Sequence, residues 1–141
     1  MKEVRAISVF LGITMFMFGV LKFVNPIKGW YSVQIINSGM NQSSYWLGII
    51  SEIFVGIVFL TTILFSRYLS KKKFRILITA ASAMLVVMML TAIRVHLHPE
   101  VPAAVLPLKI KTPVIPGSIL LLAVTDIILI RRAIPARKTR L

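Results

Sequence analysis

The chain has 141 residues, 57% of them hydrophobic, with a mean hydropathy of +0.89 and a formal net charge of +13. Such a composition excludes a water-soluble globule with a charged shell and points to an all-α integral membrane protein. Cysteine is absent, which excludes disulfide exchange, thiolate nucleophiles, cysteine-ligated zinc and iron–sulfur clusters held by this chain, so redox chemistry would need a borrowed cofactor.

Four apolar runs, at about 7–24, 45–65, 74–93 and 114–130, approach the roughly 17 to 25 residues that cross a bilayer. They predict a four-transmembrane-helix bundle, with a short interfacial helix and a proline-rich outer loop, forming one membrane domain over 1–141. Lys2 and Arg5 precede the first run as in a secretory signal. No small-residue cleavage pattern follows, and the run continues into LKFVNP, so it is read as a retained helix. In NPIKGWYSVQIINSG, Pro26 stops that helix, and Trp30 and Tyr31 suit the headgroup zone. Ile35 and Ile36 fit a short helix lying flat on the outer surface, ended by Gly39. The short link SRYLSKKKF makes the second and third spans antiparallel neighbours. Before the fourth span, five of the seven prolines fall at Pro99, Pro102, Pro107, Pro113 and Pro116, which forbids a regular helix there. The apolar VPAAVLPLKI within this loop predicts an extended cover across the outer mouth.

Twelve of the seventeen basic residues flank the spans on one side: Lys2 and Arg5; Arg67, Lys71, Lys72, Lys73 and Arg75; Arg131, Arg132, Arg137, Lys138 and Arg140. The positive-inside bias makes that side cytoplasmic and places both termini there. The basic face then serves topology and anionic lipid, with the bilayer rather than nucleic acid as the partner.

The outer half gathers the scarce polar residues. Gly12, Gly19 and Lys22 share one side of the first helix, so Lys22 points inward. Gly48, Glu52 and Gly56 are successive fours on the second, with Glu52 roughly 10 Å below its outer end. On the third, Ala80, Ala83, Val87, Thr91 and Arg94 form one side, ending in His96 and His98. Lys22, Glu52, Arg94 and His96 are therefore expected to meet, as a register-fixing ion network or as the polar end of an apolar ligand slot with Trp30 and Tyr31 as an aromatic wall. Asp126 reads as structural, countered by Arg5, Arg131 or Arg132. No metal is expected, because His96 and His98, two apart, supply at most two ligands.

FMFGVLKFVNP, LGIISEIFVGIVFL and HLHPEVPAAVLPLKIKTPVIP together resemble the DoxX-like family of small four-helix bacterial membrane proteins over nearly the whole chain. The resemblance implies a bacterial plasma membrane location and an association with redox systems that includes a subunit of thiosulfate:quinone oxidoreductase. By that likeness Lys22, Glu52 and His96 match the polar positions expected of the family. The expected function is a quinone-associated subunit of an oxidoreductase, with no intrinsic cofactor, a bound quinone, a redox partner protein and scope for homo-oligomers. The alternatives are a non-catalytic lipid-binding or complex-organising protein and a small proton-coupled exporter.

Overall fold

The apolar runs fold into helices that extend beyond them wherever a polar cap is available. The computed structural model describes residues 1–135, so Arg137, Lys138 and Arg140 of the expected basic face lie outside the described residues. Five α-helices form and no strand is present among the described residues: α1 (Lys2–Leu21), α2 (Ile27–Asn37), α3 (Gln42–Leu64), α4 (Lys71–Leu97) and α5 (Val114–Ala133). All but α2 are long and apolar enough to cross a bilayer. The Asn41 side chain accepts from the Ser44 N–H at 3.0 Å and the Ser70 hydroxyl from the Lys73 N–H at 3.3 Å, which sets the starts of α3 and α4 before their apolar stretches. At the other end of α1 the regular helix stops at Leu21, and Phe23 and Val24 bond back to Val20 and Leu21 in tighter turns ahead of Pro26.

The four long helices make a ring in the order α1, α3, α4, α5. Two pairs, α1 with α3 and α4 with α5, pack extensively, and the α3/α4 and α1/α5 seams between them are looser. Glycine explains the first pair. A Cβ on Gly56 would stand 2.6 Å from the Phe16 backbone nitrogen and 2.9 Å from the Gly12 carbonyl oxygen, so α1 and α3 meet backbone to backbone. Gly56→Ala is therefore expected to lower stability by about 1 kcal/mol, the overpacking exceeding the gain in helix propensity. Gly117→Ala in α5, where an added Cβ meets nothing within 4 Å, is expected to raise it. Thermal unfolding of the two variants in one detergent should give shifts of opposite sign.

Leu11, Met15, Phe59, Ile78, Leu85 and Ile130 fill the centre of the ring. The outward faces are apolar as well, with Leu47, Ile50, Leu64, Val87 and Leu121 each more than 60% exposed. That outer apolarity misleads any assignment of the inward face of α4. Ala80, Ala83, Val87, Thr91 and Arg94, expected on the packing side, are all exposed, and the buried face is Phe74, Ile78, Ser82, Leu85, Met89 and His96.

Asp126 is structurally placed but not by the expected counter-charges. Arg5, Arg131 and Arg132 are exposed, and the ion pairs among the described residues are Met1–Glu3 and Lys22–Glu52. The Ser8 and Ser82 hydroxyls instead donate to Asp126 Oδ2 at 2.9 and 3.2 Å, joining α1, α4 and α5 at a fully buried point. Short hydroxyls on neighbouring helices can reach a carboxyl buried between them, whereas the arginines lie at the helix ends.

The proline-rich segment covers one end of the ring, folded into 3₁₀ turns at Ala103–Val105 and Pro107–Lys109 rather than fully extended. Val101 and Leu106 are buried in a small cluster with Val95. Lys111 Nζ donates to the His98 and Val101 carbonyls at 2.5 and 2.6 Å, which closes the segment on itself. Gln34 and Asn37 of α2 donate to the Val105 and Glu100 carbonyls at 2.5 and 3.0 Å, so α2 and this segment form a joint lid.

Candidate functional site

Beneath that lid lies the one buried charge pair among the described residues. Gly19 brings the α1 backbone onto the stem of α3, so close that a Cβ there would stand 3.3 Å from the Glu52 Cβ. Lys22, just past the end of α1, then reaches across, and its Nζ donates to Glu52 Oε1 at 2.5 Å. Both side chains are largely buried, at 14% and 11% exposure. The same ammonium sits 3.9 Å from the centre of the Tyr31 ring, a cation–π contact that suits a charge withdrawn from water.

Tyr31 is held from three sides. Its hydroxyl donates to the Tyr45 carbonyl at 3.3 Å, and the two rings lie 5.0 Å apart. Gly48 makes room for the phenol oxygen, since a Cβ at that position would collide with it. Burial first, then the Glu52 charge, pushes the Tyr31 phenol above the usual tyrosine range, so at neutral pH it stays protonated as a donor. The Gly48, Glu52, Gly56 stripe therefore has a use for each glycine: one admits Tyr31, the other admits α1.

His96 is 5% exposed, on the inner face of α4. Its Nδ1 lies 3.0 Å from the Ala92 carbonyl, which can only accept, so Nδ1 carries the hydrogen and Nε2 is the acceptor of the neutral ring. His98 stands apart at the helix end, accepting from the Glu100 N–H at 3.3 Å.

Two cavities flank this group, each in one of the looser seams. The smaller, about 280 Å³, is bounded by Phe18 and Leu21 of α1, Ile115 and Ile119 of α5, and Trp30, Val105 and Pro107 of the lid. The larger, about 680 Å³, opens between α3 and α4 among Leu47, Gly48, Ser51, Met84, Val87 and Met88. Lys22, Tyr31, Gln34, Glu52 and His96 line both. The walls are otherwise mostly apolar, and Glu52 Oε2, buried among them, has no hydrogen-bond partner.

The structure thus brings together Lys22, Glu52, Tyr31 and His96, with Trp30 at the edge of the smaller cavity and 38% exposed. Arg94 does not join them. It is exposed, lines the larger cavity only, and pairs with no acid among the described residues. Gln34 and Gly48 were not expected at the site. Gln34 carried a signal, since it follows Trp30 by four and Tyr31 by three and so shares their face of a short helix.

Comparison with known proteins yields no family model, curated protein or solved structure that matches this chain.

Proposed function

We propose that the chain is a four-span protein of the bacterial plasma membrane, related to the DoxX-like family. In this reading it binds a hydrophobic small molecule of the quinone class at Lys22, Glu52 and His96, and serves a redox partner protein that carries the electrons. Four long apolar helices with apolar outward faces support membrane insertion. The basic residues at the helix ends remote from α2, among them Lys2, Lys71, Lys72 and Arg131, support a cytoplasmic placement of that side and of both termini.

The observation that carries the ligand reading is the unpartnered Glu52 Oε2, buried where two largely apolar cavities meet. A bare buried acceptor costs about 1–3 kcal/mol, and a ligand head that bonds to it removes that cost while its tail fills an apolar seam. The protein supplies position, hydrogen bonds and exclusion of water, and the quinone head supplies the redox chemistry. The test is mass spectrometry of small molecules co-purified with the natural chain and with Glu52→Gln at matched folded yield. A quinone enriched over bulk membrane and lost in the variant is the expected result; equal occupancy in both would sink the reading.

One observation favours a second reading. Lys22 and Glu52 already close on each other at 2.5 Å, as a lock between α1 and α3 in a non-catalytic, lipid-binding or complex-organising protein would. That reading expects Glu52→Gln to lower the unfolding temperature without selective loss of any bound molecule.

A further inference from the structure

The hydrogen-bonding capacity of the site is unevenly spent. Around the two cavities the buried donors are committed to the protein. Lys22 Nζ is engaged by Glu52 Oε1 and the Tyr31 ring. The Tyr31 hydroxyl goes to the Tyr45 carbonyl, the Gln34 amide nitrogen to the Val105 carbonyl, and His96 Nδ1 to the Ala92 carbonyl. What is left facing the space is acceptor capacity: Glu52 Oε2, which has no partner, and His96 Nε2. The Ser51 hydroxyl in the larger cavity can donate or accept and so sets no preference. Arg94, the strong donor nearby, is exposed, and two residues from His96 it projects roughly 200° around α4 from it.

From this imbalance we infer that the site selects a ligand head that donates hydrogen bonds, and therefore takes a hydroxylated aromatic amphiphile in preference to its carbonyl counterpart. The inference rests on the quinone-class reading and sharpens it: of the two redox forms, the hydroquinone is the one held. A quinone head offers only carbonyl oxygens, which would face Glu52 Oε2 as acceptor against acceptor. A hydroquinone offers two O–H groups, each suited to one free acceptor. A site built with its donors free would show the opposite preference, so the direction follows from which atoms the fold has already used.

The experiment uses the full chain in lipid nanodiscs under anaerobic conditions and three probes of one shape: an alkyl hydroquinone, the corresponding quinone, and the hydroquinone dimethyl ether. The ether keeps the ring and tail, cannot be oxidised to the quinone without losing its methyl groups, and has no O–H. Equilibrium dialysis is expected to show the hydroquinone binding about tenfold or more tighter than the other two, the scale of one hydrogen bond to a charged acceptor. Glu52→Gln, whose amide can present N–H donors, is expected to shrink that preference to about threefold or less. Equal binding of hydroquinone and ether, or tighter binding of the quinone, overturns the donor-head inference and leaves the quinone-class site standing. Failure of all three probes to bind overturns both. The ether comparison is made on the natural chain and does not depend on a variant that folds.

Discussion

Replacing Glu52 by leucine is expected to destabilise the bundle by about 3–5 kcal/mol, the cost of leaving a buried charge without its partner. Glu52 is 92% packed away by neither water nor bulk lipid headgroups but by protein, with relative exposure of only 9%, and Lys22 has no other acid within reach among the described residues. The ammonium would retain only the Tyr31 ring face, worth about 0.5–2 kcal/mol, which does not replace a carboxylate at 2.5 Å. The double change Lys22→Met with Glu52→Leu removes both charges and is expected to recover most of the loss, since a buried ion pair and an apolar pair of similar volume are often close in stability. Chemical unfolding of the natural chain, both single variants and the double variant gives the coupling directly. A double variant no more stable than Glu52→Leu alone would mean that the loss comes from packing rather than from the orphaned ammonium.

Asp126 is expected to respond in a different way, because its partners are hydroxyls and one of its oxygens has none. Asp126→Leu removes the common acceptor of Ser8 and Ser82 and leaves two buried O–H groups to satisfy, at about 1–3 kcal/mol each, so a loss of about 3 kcal/mol is expected. Back-bonding of each serine to a carbonyl of its own helix keeps the figure from doubling. Asp126→Asn keeps an oxygen for both hydroxyls and removes a carboxyl that has no counter-charge among the described residues, so it is expected to match or exceed the natural chain. Unfolding midpoints of the two variants test this, and an asparagine variant as weak as the leucine one would show that the carboxylate charge is itself required.

The helices were legible because a run of apolar residues long enough to cross a bilayer has few other uses, and their ends were less so because caps are polar. Asn41 and Ser70 start α3 and α4 ahead of the apolar stretches, and α4 runs past its apolar run to Leu97. The meeting of Lys22 with Glu52 was legible from glycine spacing, since close helix approach and inward charge fall on the same stripe. Arg94 was misplaced because α4 is apolar on nearly every side, which removes the contrast that tells an inward face from an outward one. Positions 94 and 96 are also nearly opposite on a helix, so His96 facing inward requires Arg94 to face out. Ser8 and Ser82 escaped notice because a small hydroxyl residue in an apolar helix reads as a packing residue, and only the fold shows that both point at Asp126.

The ring of two tight pairs also bears on the order in which the protein is made. Residues 2–64 supply α1, α2 and α3, and residues 71–133 supply α4, the proline-rich cover and α5, so each pair is contiguous in the chain. Lys22 and Glu52 both belong to the part synthesised first, and their charges can neutralise each other before α4 or α5 has left the ribosome. The buried polar contacts that tie the later part to the earlier one, Ser8 with Asp126 and Gln34 with Val105, involve no ion pair. The nascent first half therefore carries no bare charge awaiting rescue by a helix not yet translated, and the second half docks through hydroxyl, amide and apolar contacts alone.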